Sequence, residues 1–490
     1  MNVRPPRARR TRGILAAYDG SALPRLASLA PRVAVIGAGL AGLAAAHVLK
    51  QAGLAPAVFE AAPRVGGRVR TDHGLQEPGL ITEHGGEFID SAHHDIMALA
   101  TLLELELIDT GTPAESKLAT AYHFGGSHRS EAEVNAAYAD VAPRIARDIA
   151  SLTPRVSRRR HTPADAHFDH LSVAEYLAGL DMAPWLRALL EVAFVTVYGG
   201  DAGEQSSINL LSLIGTDVSD GFEVFGNSDE RYKVRDGADR IAAGLAQRLD
   251  GRVFTEHRLL RLSDHGTGYR LALHSPSSKV VEIDADAVVL ALPFTLLRQV
   301  ELRCELPPSK RKAIHELGYG DNAKLLIGVQ QRFWREQGES GSLYTDMPLQ
   351  CGWDASRLRA GVRGILTCFL GGREGRELGS GDAHAHGRRL AALAERIYPG
   401  LQSQLTGSVQ RVHWPSEPFA QGSYTCYRPG QWTTIAGDEA TAVGNLYFAG
   451  EHCATASQGY MNGAAETGRQ AALQILQRLT GTTRRQQAGA

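Results

Sequence analysis

The chain has 490 residues, of which 43% are hydrophobic, and its 52 lysines and arginines nearly balance 53 aspartates and glutamates. This length predicts two domains, because single hydrophobic cores stop growing beyond about 250–300 residues. The near-zero net charge gives no argument for nucleic acid or a membrane surface as a partner, and no apolar run approaches the ~18 residues of a membrane span. Five scattered cysteines without CxxC spacing argue against a disulfide framework and a zinc site.

Residues 1–30 form a basic N-terminal arm, which carries five arginines and no acid within its first 12 residues. Arg9 and Arg10 precede a short apolar stretch, an arrangement similar to a twin-arginine export signal. That stretch is shorter than the ~7–15 residues of a signal's apolar region. We therefore expect a disordered arm on a cytoplasmic protein, with export through a degenerate twin-arginine signal as the alternative.

A dinucleotide-binding turn is predicted directly after the arm. The apolar run Val33–Ile36 indicates a buried strand, and a GxGxxG sequence over Gly37–Gly42 leads into an alanine-rich helix. The three glycines permit a tight turn, a close backbone approach to a pyrophosphate and packing of the helix on the strand. Phosphate is then expected at the helix N-terminus.

The next strand carries the acid that accompanies this motif. The run Ala57–Phe59 ends in Glu60, 23 residues after Gly37, where a carboxylate can accept from a ribose 2′-hydroxyl. Strand, glycines, helix, strand and acid follow in order within ~30 residues, which favours a dinucleotide site. The following segment, Arg64–Arg68, holds a glycine doublet and an arginine that can bind a pyrophosphate.

The middle of the chain contains two kinds of pattern. Glu83–Ile89 indicates a loop that enters a strand, and residues 92–230 are mostly helical in pattern. The apolar run Asp286–Leu292 predicts a buried parallel strand. Lys324–Gln331 and Arg363–Leu370 predict strands of a second sheet.

The C-terminal segment completes a recognisable pair of motifs. A strand over Leu446–Ala449 delivers Gly450 and Glu451 to the start of a helix, and the Gly-Tyr-Met sequence of Gly459–Met461 follows. With the glycine doublet after Glu60, this segment resembles the end signatures of the flavin-containing monoamine oxidase and polyamine oxidase family. The resemblance covers the chain from about Arg32 to Leu479.

The resemblance implies an α/β fold. A discontinuous Rossmann-type FAD-binding domain would comprise residues 31–90, 231–300 and 430–480. An inserted α+β substrate domain, a mixed sheet flanked by helices, would comprise residues 91–230 and 301–429. Residues 481–490 are expected to be a flexible tail.

The resemblance also assigns the cofactor residues. In the family the loop over residues 85–88 passes beside the isoalloxazine ring, backbone near residue 259 contacts the adenine, and a tryptophan lies beside the flavin. The expected FAD-binding residues are Gly37, Gly39, Leu40, Ala41, Gly42, Glu60, Gly67, Arg68, Gly85, Gly86, Glu87, Phe88, Leu259, Trp414, Gly450, Glu451, Gly459, Tyr460 and Met461. Some members attach FAD through a cysteine immediately before an aromatic residue of the substrate site. In this chain that aromatic residue is Tyr424 and Ser423 precedes it, so noncovalent FAD is expected.

Lys324, Tyr424 and Tyr460 are the expected catalytic residues. Lys324 resembles the family's lysine that holds a water against flavin N5, where its charge also favours the reduced, anionic flavin. Tyr424 and Tyr460 match two aromatic rings that enclose the substrate nitrogen and attract an ammonium through their π faces. An ordinary strand lysine and two core aromatics are the alternatives.

The implied reaction oxidises a C–N bond to an imine, which hydrolyses to an aldehyde and an amine or ammonia, with O2 as acceptor and H2O2 as product. Phe222 and Glu223 align roughly with the family's cavity segment, and Glu223 would hold the second ammonium of a diamine or polyamine. A primary monoamine stays open. No arginine follows Gly85 and Gly86 before Arg129, which argues against an L-amino-acid oxidase.

Other classes remain as alternatives, namely a carotenoid-desaturase-like oxidoreductase and a non-catalytic flavoprotein. The sequence does not distinguish an oxidase from a dehydrogenase, or a monomer from a homodimer. His84, His93 and His94 lie near the flavin loop, but without partners at ligand spacing they give no reason to expect a metal.

Overall fold

The computed structural model describes residues 6–24, 31–219 and 221–488. The helices are α1 (Pro6–Tyr18), α2 (Leu40–Gln51), α3 (His94–Leu102), α4 (Glu131–Ser151), α5 (Pro163–His170), α6 (Val173–Ala178), α7 (Pro184–Tyr198), α8 (Ser207–Leu211), α9 (Asp239–Gln247), α10 (Phe294–Leu297), α11 (Pro308–Glu316), α12 (Gly372–Leu378), α13 (Ala383–Ala394), α14 (Gln431–Thr434) and α15 (Met461–Ala488). Short 3-10 turns span Glu115–Lys117, Phe333–Gln337, Leu401–Gln404, Trp414–Ser416 and Glu451–Cys453.

The strands are β1 (Val33–Ile36), β2 (Ala57–Phe59), β3 (Thr71–Asp72), β4 (Thr82–Glu83), β5 (Leu107–Asp109), β6 (Ala119–Phe124), β7 (Ser127–Arg129), β8 (Tyr232–Val234), β9 (Val253–Phe254), β10 (Arg258–His265), β11 (Gly268–His274), β12 (Val280–Ala285), β13 (Ala287–Leu290), β14 (Glu301–Arg303), β15 (Ala323–Val329), β16 (Glu339–Thr345), β17 (Cys351–Asp354), β18 (Gly364–Leu370), β19 (Leu405–His413) and β20 (Leu446–Phe448).

A five-stranded parallel sheet joins distant parts of the chain. Its strand order is β20-β13-β1-β2-β9, and every pair in it is parallel. The central strand β1 is buried along its whole length, as expected of a sheet that is covered on both faces. A smaller sheet, β12-β11-β10-β14, follows β9 in sequence and packs into the same region of the core.

A seven-stranded sheet forms the second layer of the molecule. Its order is β19-β15-β18-β17-β16-β6-β7, and all of its pairs are antiparallel except β16 with β6, so the sheet is mixed. Helices α4, α6, α7 and α8 pack together in a separate hydrophobic cluster that includes Phe124 of β6. Both layers therefore match the predicted combination of a Rossmann-type sheet and an α+β unit.

Residues 92–230 contain three strands that the helical interpretation missed. The hairpin of β6 and β7 turns through Gly125 and Gly126, which have φ values of 64° and 75°. Two consecutive residues with positive φ are typical of a type I′ hairpin turn. The Gly-Gly pair was therefore a strand signal within a segment dominated by helices.

The N-terminal segment is also more ordered than expected. Residues 6–18 form α1 rather than a disordered arm, and Tyr18 at its end is fully buried. The Tyr18 hydroxyl donates to Asp95 Oδ1 (2.9 Å) and to the Ala465 carbonyl (3.1 Å). Residues 1–5 and 25–30 of the predicted arm lie outside the described residues.

The expected flexible tail begins inside a helix. Residues 481–488 continue α15, and residues 489–490 lie outside the described part of the chain. Among the described residues, no helix combines the length and the apolar character that crossing a membrane requires.

Candidate active site

A cavity of about 1240 Å³ collects nearly all of the predicted site residues. It is larger than the ~300–1,000 Å³ of an ordinary small-molecule pocket, so it has room for a dinucleotide together with a small ligand. The predicted residues that line it are Gly37, Gly39, Leu40, Ala41, Glu60, Gly67, Arg68, Gly85, Gly86, Glu87, Phe88, Glu223, Leu259, Lys324, Trp414, Tyr424, Gly450, Glu451, Gly459, Tyr460 and Met461. Gly42 and Phe222 lie outside its lining.

The turn between β1 and α2 requires glycine at two positions. Gly37 has a φ of 104°, and a Cβ there would lie 2.6 Å from the Ala291 carbonyl oxygen. A Cβ on Gly42 would lie 1.9 Å from the Gly37 carbonyl oxygen, so Gly42 packs the helix against the turn. The N-terminus of α2 has no side-chain cap, and a Cβ on Gly39 would enter open space. The N–H groups of this turn can therefore bind a phosphate.

Glu60 supports this turn from the adjacent strand. Its carboxylate accepts from the backbone N–H groups of Ala38 (2.7 Å) and Ala62 (2.8 Å). Burial raises the pKa of Glu60, while these hydrogen bonds oppose the rise. Each carboxylate oxygen can accept a further hydrogen bond, so Glu60 can also accept from a ribose hydroxyl.

Arg68 joins the two ends of the chain. Its Nη1 donates to Glu451 Oε1 (2.9 Å) and to the Ser423 carbonyl (2.6 Å). Glu451 Oε2 in turn accepts from the Gly459 N–H (2.9 Å). Arg64 instead donates to three carbonyl groups of its own loop, which it braces. Of the two arginines that flank the doublet, only Arg68 bridges the first and last motifs.

The loop after β4 packs tightly against neighbouring backbone and a tryptophan. A Cβ on Gly85 would lie 1.8 Å from the Arg68 carbonyl oxygen and 3.0 Å from the ring of Trp414. The Trp414 Nε1 donates to the His84 carbonyl (3.3 Å). This close packing fixes the wall that is expected to lie beside the flavin ring.

Lys324 is 5% exposed and lies on the fully buried strand β15. Its ammonium donates to Glu87 Oε2 (3.0 Å) and to the carbonyls of Glu83 (3.0 Å) and Gly85 (3.1 Å). An ammonium has three donors, so protein acceptors take all of them in this structure. A water held by Lys324 would have to replace one of these acceptors.

Glu87 bridges two lysines. Its Oε1 accepts from Lys233 Nζ (2.6 Å) and from Trp353 Nε1 (3.2 Å), while Oε2 accepts from Lys324. Burial alone would raise the pKa of Glu87, but the two ammonium groups outweigh burial and lower the pKa to about 2. With one carboxylate between two ammonium groups, the Lys324–Glu87–Lys233 group itself carries one excess positive charge.

Tyr424 and Tyr460 line the same cavity and are half-buried. The Tyr424 hydroxyl donates to the Thr196 carbonyl (3.3 Å), and the Tyr460 hydroxyl pairs with Ser228 Oγ (3.0 Å). Among the described ring contacts, Tyr460 meets His93 at 5.0 Å between centroids, and none joins Tyr460 to Tyr424. A hydroxyl hydrogen bond thus holds each ring at the cavity wall.

The segment that contains Phe222 and Glu223 differs in part from expectation. Glu223 lines the cavity, but its side chain is exposed. The Phe222 ring packs on Tyr138 with centroids 4.4 Å apart, and Phe225 lines the cavity instead. This segment has no regular helix or strand, so periodicity could not show which side chains face inward.

Several residues of the cavity wall were missed by sequence reasoning. They come from four elements and from the segment before β8, and they belong to no motif: Thr196, Glu230, Lys233, Tyr344, Cys351 and Trp353. Glu230 lies three residues before Lys233, and its φ of 42° is uncommon for a residue other than glycine. Their shared position depends on the pairing of distant strands, which no local sequence signal reveals.

The histidines of the flavin loop have protein partners. His84 receives a hydrogen bond from Arg70 Nε (3.0 Å) and pairs with Gln410 (2.9 Å), and burial lowers the pKa of His84 to about 4. Within the described part of the chain, no group of three or more histidine, cysteine or acidic side chains is arranged to hold a metal ion.

The serine before Tyr424 is buried and engaged. Ser423 Oγ donates to Asn322 Oδ1 (2.6 Å). All five cysteines are free and buried. Cys351 lines the cavity, whereas Cys426 and Cys453 lie outside its lining.

Comparison with known proteins places this arrangement among flavoproteins. A model of the flavin-containing amine oxidoreductase family matches residues 40–476. A flavin-containing amine oxidase from Danio rerio is 25% identical over 459 residues, which cover 91% of this chain and 85% of the relative. The family match implies a flavin cofactor and amine oxidase chemistry.

Solved structures share the fold. Cyclohexylamine oxidase from Brevibacterium oxydans IH-35A has a TM-score of 0.79 at 23% identity, covering 92% of this chain and 99% of that one. Wild-type putrescine oxidase bound to putrescine has a TM-score of 0.76 at 21% identity, covering 91% and 99%. These likenesses confirm the predicted α/β fold with a Rossmann-type cofactor domain and a substrate domain.

Proposed function

This chain belongs to the family of flavin-containing amine oxidoreductases, and we propose that it oxidises a small-molecule amine with noncovalently bound FAD. The observation that carries the proposal is the meeting of Lys324, Tyr424 and Tyr460 with the dinucleotide-binding turn in one cavity. The flavin supplies the acceptor for the two electrons that the amine loses. The protein then has to bind the amine, orient it and keep water away.

The residues of the cavity fit FAD. The uncapped N-terminus of α2 suits the pyrophosphate, Glu60 suits a ribose hydroxyl, and the loop over residues 85–88 would lie beside the isoalloxazine ring. The positive charge of the Lys324–Glu87–Lys233 group supports a cofactor that becomes anionic on reduction. Noncovalent attachment is supported by Ser423, which stands where some family members have the attaching cysteine. Cys426 and Cys453 lie outside the cavity lining.

The two tyrosines would act on the substrate nitrogen. An alkyl amine has a pKa of ~10 when a lysine side chain is the model, so at pH 7 only about one molecule in a thousand is neutral. Freeing its lone pair in water therefore costs roughly 4 kcal/mol. Half-buried rings attract the arriving ammonium and then favour the neutral amine by desolvation.

We propose a diamine, a polyamine or a primary amine as the substrate. The structural neighbours include an oxidase named for a cyclic monoamine and one bound to a diamine. Glu223 at the cavity wall could hold a second ammonium, and its exposed side chain suits the outer end of a longer substrate. Changing Glu223 to Gln should then slow the oxidation of diamines and polyamines and leave the oxidation of monoamines unchanged.

Reduction of the bound flavin by a panel of amines tests the proposal directly. The holoenzyme is mixed without oxygen with monoamines, diamines, polyamines and L-amino acids, and flavin absorbance is followed. Bleaching by amines, followed by peroxide release when oxygen is admitted, is the expected result. Bleaching by L-amino acids in preference to amines, or by none of these compounds, would overturn it.

A further inference from the structure

Glu230 is a cavity residue whose backbone is fixed on both sides. Its N–H donates to Asp90 Oδ1 (3.0 Å), and Tyr232, two residues later, exchanges backbone hydrogen bonds with Ile89 (2.8 and 2.9 Å). Lys233 then forms the ion pair with Glu87. The segment that carries Glu230, directly before β8, is thereby attached to the loop expected beside the flavin ring.

The carboxyl group of Glu230 has no hydrogen-bond partner among the described residues, although it lines the cavity and is half-buried. Its backbone φ of 42° is strained for a side chain with a Cβ, and strained residues cluster at functional sites. A partly buried carboxylate without a partner loses solvation without compensation. The group is therefore placed to receive a partner from the cavity itself.

The surroundings of Glu230 favour a cationic partner. The charged groups that act on it are Asp90, Glu87, Lys324 and Asp229, of which only Lys324 is positive. Burial, followed by the charges of Asp90 and Glu87, raises the pKa of Glu230 to about 8. Glu230 lies two residues after Ser228, whose Oγ pairs with the Tyr460 hydroxyl (3.0 Å), so the segment that carries Glu230 is attached to one ring of the aromatic pair. Glu230, Tyr424 and Tyr460 all line the same cavity.

We propose that Glu230 binds the reacting ammonium of the substrate and accepts its proton, so that the amine enters the tyrosine pair in its neutral form. This inference rests on the proposed amine oxidation. An N–H bond of the ammonium breaks, an O–H bond forms on the Glu230 carboxylate, and the electron pair stays on nitrogen. No oxidant or reductant takes part in this step.

A fixed cation isolates the binding part of the proposal. An alkyl-trimethylammonium ion keeps its charge at every pH, so any pH dependence of its Kd comes from the protein. The oxidised holoenzyme is titrated with this ion, and flavin absorbance reports its binding. We expect the Kd of the ion to fall several-fold between pH 6.5 and 9 as Glu230 ionises. Glu230→Gln should show a weaker and pH-independent Kd, and Glu131→Gln, which removes a carboxylate outside the cavity lining, should match the wild type.

Anaerobic flavin reduction by a monoamine tests the proton transfer. At pH 7 we expect Glu230→Gln to be at least tenfold slower at saturating substrate, with the deficit shrinking toward pH 10 as free amine becomes abundant. Glu230→Asp should recover part of the rate. If wild type and Glu230→Gln share one rate profile and one Kd profile, Glu230 has no such role. If no amine reduces the wild-type flavin, the proposed function fails instead.

Discussion

Lys324 and Lys233 both form ion pairs with Glu87, and this arrangement changes the role expected of Lys324. A lysine beside a flavin would be expected to hold a water, but here the ammonium of Lys324 is engaged by Glu87 and two carbonyls. Lys233 contacts the opposite oxygen of the same carboxylate. The two lysines thus provide a matched pair, since each removes one ammonium from Glu87 when it is replaced.

Replacing Lys324 with Met should slow at least one flavin half-reaction tenfold or more, which corresponds to about 1.4 kcal/mol of barrier per tenfold. The reason is that Lys324 contacts the loop expected beside the flavin ring, and its loss removes positive charge there. Stopped-flow absorbance of reduction and reoxidation measures both steps, and the flavin content of the purified variant shows whether FAD stays bound.

Lys233→Met is the control for that experiment. It also leaves Glu87 with a single ammonium, so a purely structural role predicts similar losses in both variants. A clearly larger kinetic loss for Lys324→Met assigns the effect to the position of Lys324. If both variants lose the same amount of rate, or if neither variant differs from the wild type in either half-reaction, Lys324 has a structural role.

At the scale of elements, α1 is held by a small set of polar contacts. Arg469 of α15 donates to both oxygens of Asp95 (2.6 and 3.0 Å), and the same carboxylate accepts from Tyr18. His47 of α2 pairs with the Tyr18 carbonyl (2.9 Å). Because α2 begins at the phosphate turn and α15 begins at Met461, α1 supports two elements that border the cavity.

Changing Tyr18 to Phe should lower the free energy of unfolding by about 1–2 kcal/mol, because it removes a buried hydrogen bond to a charged acceptor. Urea unfolding of the holoenzyme measures the change. Arg12→Ala, on the exposed side of α1, should stay within about 0.5 kcal/mol of the wild type. A Tyr18→Phe variant as stable as Arg12→Ala would show that the hydrogen bonds of the Tyr18 hydroxyl contribute nothing measurable to stability.

The elements that the sequence predicted differ in a physical property from those it did not. The strands β1 and β13 are continuous apolar runs, and β15 and β18 are largely apolar, so local sequence predicted all four. By contrast, α1 depends on Tyr18 meeting residues far along the chain, and the position of Glu230 depends on Asp90 and Ile89. Motifs predict residues that contact a shared ligand, whereas tertiary pairing decides which other side chains join them.

At the scale of the whole molecule, the cavity is a junction between the beginning and the end of the chain. The turn at Gly37 and the loop of Arg68 meet Glu451 and Gly459, and the Arg68–Glu451 ion pair is the direct link. A ligand that contacts all four positions would tie segments nearly 400 residues apart. Its binding should therefore contribute to the stability of the whole fold and not only of one domain.

Removing FAD should lower the free energy of unfolding. A ligand that binds only the native state raises this free energy by RT ln(1 + [L]/Kd), which is about 2.7 kcal/mol when the free FAD concentration is one hundred times Kd. Acid precipitation of the holoenzyme should first release yellow FAD into the supernatant, as noncovalent attachment requires. Urea unfolding of apoprotein, measured with increasing FAD, should then show a rising midpoint. A yellow pellet would indicate covalent attachment, for which Cys351→Ser is the next variant because that thiol lines the cavity. A midpoint that does not respond to FAD would contradict the idea that the cofactor joins the two ends of the chain.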